Sequence, residues 1–132
     1  MRYPTTDEVL QINAAVMGGN HVLRDRGLLE AAIARPRPSA LGADAYPSVV
    51  TKAAALLHSL TLNHPSVDGN KRTAVLATLV FLDLNGYILQ WDQRDALDFM
   101  LRLAMGRLEL EDVAVFLAER VQPRPGTIPH LQ

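Results

Sequence analysis

Val9, Leu10, Ile12, Ala15 and Val16 recur at helical spacing behind Thr6, Asp7 and Glu8. The pattern predicts a first helix opening near Thr6, with two carboxylates against the positive end of its dipole. Gly18-Gly19-Asn20 closes it, and residues 18–27 read as a loop. A second helix is predicted from Leu28 to Arg35, where Pro36 and Pro38 forbid continuation. Residues 36–47, with three prolines and Gly42, form a surface connector. Ser48 can cap a third helix that reaches about Asn63 through Ala53-Ala54-Ala55-Leu56-Leu57. The fourth would take Asp68 as its N-cap and stop at Asn85-Gly86 in a left-handed turn. Between Ala74 and Leu82 it is apolar except for Thr78, and a helix apolar all round is enclosed by others. Tyr87 to Trp91 is a short extended piece, Asp92 starts a fifth helix to about Ala104, and a sixth runs from Glu111 to Arg120. The expected architecture is all-α: a compact six-helix domain over residues 1–122 with its fourth helix, about 68–85, buried at the centre. Three prolines and Gly126 make 123–132 a flexible C-terminal tail.

Composition narrows the chemistry. A chain of 132 residues is one domain, large enough to bury a core without staples. Thirteen basic against fourteen acidic side chains give a net charge of −1. No global field draws in nucleic acid or anionic membrane, so any anion site is local. The absence of cysteine excludes disulfides and thiolate metal sites. The polar start, Met1 to Glu8, carries no signal-peptide core, and the apolar runs are too short to span a bilayer. A cytoplasmic location is expected.

The stretch from His64 to Ala74, His-Pro-Ser-Val-Asp-Gly-Asn-Lys-Arg-Thr-Ala, concentrates reactive groups at the start of the apolar fourth helix. The first backbone N–H groups of a helix lack intrahelical acceptors and sit at the positive end of the dipole. Gly69 allows a phosphate close to the backbone, and Asn70, Lys71 and Arg72 bring N–H groups and side chains to the same anion. His64, at the end of the third helix, can take a proton from a hydroxyl nucleophile. Asp68 offers the hard oxygen that Mg²⁺ prefers while the ion bridges phosphates. These parts suffice for phosphoryl or nucleotidyl transfer, in which positioning and charge neutralisation dominate. Each also has a plainer role: a lone histidine is usually surface or capping decoration, Asp68 is a good N-cap, and Asn70 to Arg72 could simply be solvated. Cations in a first turn oppose the dipole, however, which itself points to a bound anion.

The stretch resembles the active-site motif of the Fic/Doc family, His-Pro-Phe-x-Asp/Glu-Gly-Asn-Gly-Arg with a second arginine three positions on. His64, Pro65, Asp68, Gly69, Asn70 and Arg72 match. Lys71 replaces the last glycine and Val75 the second arginine, as in the Doc (death-on-curing) branch. Leu28 to Pro36, Tyr46-Pro47 and Phe81 to Tyr87 look like that branch too. The resemblance implies a Fic/Doc-like all-α domain with a short flap at 18–27 that aligns a target segment; Arg24 and Asp25 are weak candidates there. It further implies a toxin that transfers the γ-phosphate of Mg²⁺-ATP to a Ser/Thr hydroxyl of a translation factor, elongation factor Tu in the founding case. His64 would be the general base, Asp68 the Mg²⁺ ligand, and Gly69, Asn70, Lys71 and Arg72 the phosphate cradle, with His64, Asp68, Asn70 and Arg72 carrying catalysis. Lys71 fills the room that adenylylating relatives leave for α- and β-phosphates.

Ser66 stands where the family has phenylalanine. Losing a buried aromatic removes about 3–5 kcal/mol if nothing refills the space: either a neighbour such as Phe81 or Leu57 fills it, or the loop is looser and the enzyme weaker. None of the five glutamates follows a Ser or Thr by four residues, so the self-inhibitory helix of some Fic proteins is missing. Inhibition is expected in trans, from a Phd-like antitoxin whose tail folds into a helix in a groove near the first helix and the flap. The competing readings are an AMP-transferring Fic enzyme and a non-catalytic, protein-binding relative. A nuclease lacks its acidic cluster, basic stripe and stacking aromatics, and the Gly-x-x-x-x-Gly-Lys-Ser/Thr of a P-loop is missing. His21, His58 and His130 have no partner at metal-ligand spacing and read as structural or exposed.

Overall fold

A computed structural model describes residues 1–20, 23–39 and 42–126. Within them lie six helices, α1 (Thr6–Val16), α2 (Arg26–Ala34), α3 (Val49–Asn63), α4 (Asn70–Leu84), α5 (Gln93–Ala104) and α6 (Leu110–Ala118). Two three-residue strands, β1 (Tyr87–Leu89) and β2 (Val121–Pro123), pair antiparallel with Ile88 opposite Gln122. The all-α architecture expected from the pattern is the one observed. None of the helices is long and apolar enough to cross a membrane.

Local chemistry explains most boundaries. Thr5, one residue earlier than expected, caps α1 through a reciprocal box with Glu8. Asp25 caps α2 through the Leu28 N–H, Ser48 caps α3 with Thr51, and Asp92 caps α5 through the Asp95 N–H. Gly86 adopts the left-handed conformation that ends α4 (φ +85°).

The centre of the molecule differs from expectation. α3 packs against α2, α4, α5 and α6, and its residues Lys52 to Leu57, Ser59, Leu60 and Thr61 are all buried. Ala53, Ala54 and Ala55 let neighbouring backbones approach closely, and each is wholly enclosed. α4 packs on α3, α1 and β1, burying Ala74, Ala77, Phe81 and Leu82, but leaves Leu76 41% exposed. The enclosure predicted for the fourth helix thus belongs most fully to the third. One apolar side of α4 stays open beside the site.

Lys52 is buried inside α3, yet its ammonium donates to both Asp44 carboxylate oxygens (2.8 and 3.0 Å) and to the Pro36 carbonyl (2.9 Å). The connector is anchored a second time by Arg35, which donates to the Tyr46 hydroxyl (3.1 Å) and to Ser59 Oγ (2.9 Å). At the other end, Pro123 pairs with Tyr87, and Arg124 donates to the Gly86 carbonyl and reaches the Asp83 carboxylate. Residues 123 and 124, placed in the tail by sequence, are therefore tied to the body. Residues 127–132 lie outside the described residues.

Candidate functional site

The segment joining α3 to α4 carries the motif, and each of its ends is unusual. His64 follows the last residue of α3 with φ 47° and ψ 56°, the single described residue other than glycine in the left-handed region. Such a conformation is disfavoured for a side-chain-bearing residue and persists only where its surroundings over-determine it. Here the determinants come from the flap. Arg24 donates from Nε to the His64 carbonyl (2.7 Å) and from Nη2 to the Asn63 carbonyl (2.9 Å). The backbone N–H groups of Arg24 and Asp25 both donate to the Pro65 carbonyl (2.8 and 3.0 Å), and Leu23 forms a bridge with Ser66.

At the other end the N-cap of α4 is Gly69, not Asp68 as expected. Two facts fix the difference. Gly69 holds φ +75°, and a Cβ there would lie 2.9 Å from Met17 Sδ, 3.1 Å from Val16 Cγ1 and 3.3 Å from Asn13 Nδ2. Asp68 stands one residue outside, with Oδ1 accepting from the Gly69 N–H (2.7 Å). No side chain caps α4. Its first helical bond is Thr73 N–H to the Gly69 carbonyl (2.9 Å), so the N–H groups of Asn70, Lys71 and Arg72 have no helical acceptor.

Lys71 and Arg72 are exposed and enter no ion pair with any described residue. Two unneutralised cations, three orphan N–H groups and an exposed carboxylate meet at one helix end, with exposed His64 across a five-residue loop. Asn70 divides its duties. Its backbone N–H belongs to the cradle, but its side-chain amide clamps Ser66, accepting from the Ser66 N–H (3.0 Å) and donating to the Ser66 carbonyl (2.8 Å).

That clamp explains how the loop is held without the family's phenylalanine. Ser66 is buried, and the space beside it is closed by Val9, Leu10, Leu29 and Leu60 rather than by Phe81 or Leu57. What is left is a cavity of about 10 Å³, roughly the room one water needs. Backbone hydrogen bonds to the Asn70 side chain and to the flap replace the ring as the anchor.

Asn13 borders this cavity and was not singled out by sequence, since it sits on an otherwise apolar helix face. Its Nδ2 donates to the Asp68 carbonyl (3.2 Å) and to Thr73 Oγ1 (3.0 Å), joining α1 to the first turn of α4. Its Oδ1 is buried without a protein partner. A polar residue within the first helix's hydrophobic stripe was the available signal.

Outside the motif the outcome is mixed. His58 Nδ1 accepts a hydrogen bond from Arg35 Nη1 (3.1 Å), a structural role within the expected structural-or-exposed reading. Burial, then the Arg35 guanidinium, hold its imidazole below the ordinary histidine range, which fits an Nδ1 acceptor. His21 and His130 lie outside the described residues. A groove was expected near the first helix and the flap. Near α1 and the flap there is the small cavity, whereas a groove of about 630 Å³ runs between α4 and α5. Val75, Leu76, Trp91, Leu97, Met100 and Leu101 line its apolar part, and Lys71 and Arg72 stand in its wall.

The residues present fit a Mg²⁺-nucleotide rather than a protein-held ion. No three His, Asp or Glu side chains cluster at ligand spacing among the described residues, so Asp68 is a lone carboxylate with one oxygen still free. A magnesium ion keeps several waters and is typically held by one or two carboxylates together with substrate phosphates.

Comparisons with known proteins identify the family. The model of the Fic/DOC family matches residues 3–82, which takes in α1, α2, α3 and most of α4. A curated protein named toxin Doc, from Mycolicibacterium smegmatis (strain ATCC 700084 / mc(2)155), is 45% identical over 118 residues. The match covers 88% of this chain and 91% of that protein.

Proposed function

The chain belongs to the Fic/Doc family, and from that premise we propose a Doc-like toxin that phosphorylates a Ser or Thr hydroxyl on a translation factor, with elongation factor Tu the expected target. The observation that carries the reading is the uncapped start of α4, where unpaired Lys71 and Arg72 adjoin exposed Asp68 and His64. The γ-phosphate of ATP would rest on the orphan N–H groups of Asn70, Lys71 and Arg72, which the dipole makes an anion site. Lys71 and Arg72 neutralise charge that spreads over the transferring group. His64 removes the proton of the target hydroxyl as its oxygen bonds to the γ-phosphorus; the bond from that phosphorus to the bridging oxygen breaks, and ADP departs with the electron pair. Mg²⁺, held through the free oxygen of Asp68 and the phosphates, would neutralise and orient the polyphosphate.

An antitoxin acting in trans fits the same geometry. The apolar groove between α4 and α5 has Lys71 and Arg72 in its wall, so an amphipathic helix laid there would also reach the phosphate cradle. Binding and inhibition would then be one event. The complex would form in the cytoplasm, where the target is found.

Intact-mass analysis of a translation factor incubated with this chain and Mg²⁺-ATP tests the reading. A gain of one phosphate, lost in His64→Ala, is the expected result. A gain of one AMP would replace kinase by adenylyltransferase chemistry, and no gain on any translation factor would leave the fold as a protein-binding module.

A further inference from the structure

We propose that Arg24 is a positioning residue for His64: its guanidinium ties the carbonyls of Asn63 and His64 and so fixes the left-handed backbone that presents the imidazole. The inference rests on the phosphoryl-transfer reading of His64. A helix that ends in a left-handed residue is ordinarily closed by the N–H groups of that residue and of the next, which turn back to carbonyls of the last turn. After His64 the next residue is proline, which has no N–H. The donor beyond it, Ser66 N–H, is already given to Asn70 Oδ1. One of the two ordinary closing donors is therefore missing at this helix end.

Arg24 holds that end from the flap by other bonds. The carbonyls of three consecutive residues, Asn63, His64 and Pro65, all accept from residues 24 and 25. Two of those bonds come from one guanidinium, whose planar fork offers donors at a fixed separation that a lysine ammonium cannot reproduce. Its positive charge also lies against the negative end of the α3 dipole. Asp25, next in sequence, is itself fixed as the N-cap of α2, so the strap is anchored at its far end. Arg24 is exposed, and both of its side-chain bonds go to the end of α3 and the motif loop.

The consequence is a geometric one. Without the strap, His64 can leave its strained conformation while Gly69, Lys71 and Arg72 keep the phosphate cradle. Displacing a reacting group by about 1 Å can lose as much as 10²-fold in rate. Loss of a group that acts only in the transition state lowers kcat without raising KM.

The test uses the full chain with Arg24→Gln and Arg24→Lys. Phosphate transfer to the modified translation factor and the His64 ring resonances are measured side by side, the latter assigned by comparison with His64→Ala. Arg24→Gln is expected to lower kcat about 10–100-fold, with KM for ATP nearly unchanged, and to shift the His64 ring resonances while those of His58 stay in place. Arg24→Lys should recover only part of the rate. Unchanged His64 resonances in Arg24→Gln would overturn the proposal even if the rate fell, because the loss would then be structural in origin. An unchanged kcat would overturn it too. The two readings fail separately: if His64→Ala retains transfer, the functional reading fails, yet the resonance comparison still decides whether Arg24 sets the histidine.

Discussion

Gly69 is the residue at which backbone conformation, close packing and the proposed anion site coincide, and its replacement by alanine separates these effects. A left-handed residue with a Cβ is disfavoured by about 1–2 kcal/mol. Alanine recovers about 0.4–1 kcal/mol by restricting the unfolded chain, leaving a net backbone effect of about 1 kcal/mol. Gly106 measures that term alone, since it holds φ +73° at the end of α5 and an added Cβ would meet nothing within 4 Å. At Gly69 the same Cβ lies 2.9 Å from Met17 Sδ, 3.1 Å from Val16 Cγ1 and 3.3 Å from Asn13 Nδ2. The methionine end can swing away. The β-branched valine is stiff, and the Asn13 amide can yield only by loosening its bonds to Asp68 and Thr73. Overpacking of that kind typically costs about 1–3 kcal/mol. Gly69→Ala should therefore destabilise by about 2–4 kcal/mol, and Gly106→Ala by about 1 kcal/mol. Guanidinium unfolding of both variants, read as a midpoint shift at constant slope, supplies the comparison. Equal shifts would refute the claim that α1 crowds the start of α4 and makes glycine obligatory there.

Asn13→Ala removes two hydrogen bonds from the loop and should destabilise by about 2 kcal/mol, measured by thermal or chemical unfolding. Faster amide exchange at Thr73 would accompany it. Ser66→Phe, which restores the family's aromatic, should lower stability by about 1–3 kcal/mol instead of raising it, because the cavity beside Ser66 cannot take a ring; a higher melting temperature would contradict the packing described. Because the His58 imidazole is held below its ordinary range, the unfolded chain binds the proton more readily. Stability is then full above the unfolded value near 6.5 and falls as pH drops below it, and His58→Asn, which keeps an acceptor for Arg35, should flatten that slope. The hydrogen bond from Lys52 holds the Asp44 carboxyl below its ordinary value of 3.8. Its contribution is present above that pH and lost as acid protonates it, so Asp44→Asn should weaken the acid-dependent loss below about pH 4 in unfolding curves.

Much of the fold follows from local chemistry that a sequence displays. Ser48 and Asp92 occupy their capping positions and Asn85-Gly86 ends α4, each because a side chain or a glycine decides the matter within four residues. The motif residues were equally legible, since His64, Asp68 and the Gly69 to Arg72 run are adjacent in the chain. Three things were decided only in three dimensions. Asp68 is a better N-cap than glycine by propensity, but the close approach of Val16, Met17 and Asn13 moves the cap to Gly69. The hydrophobic run of α4 does not say which side is covered, and it is the placement of α5 that leaves Leu76 and Val75 facing an open groove. The fate of the missing aromatic at Ser66 depended on neighbours up to 57 residues away, from Val9 to Thr73, which no local pattern lists together. Residue types and their spacing therefore marked out the chemistry proposed for this chain. The contacts between distant segments, Arg24 on His64 and Asn13 on Asp68 among them, decided how that chemistry is held, because hydrogen bonds across 40 and 55 positions leave no periodicity to read.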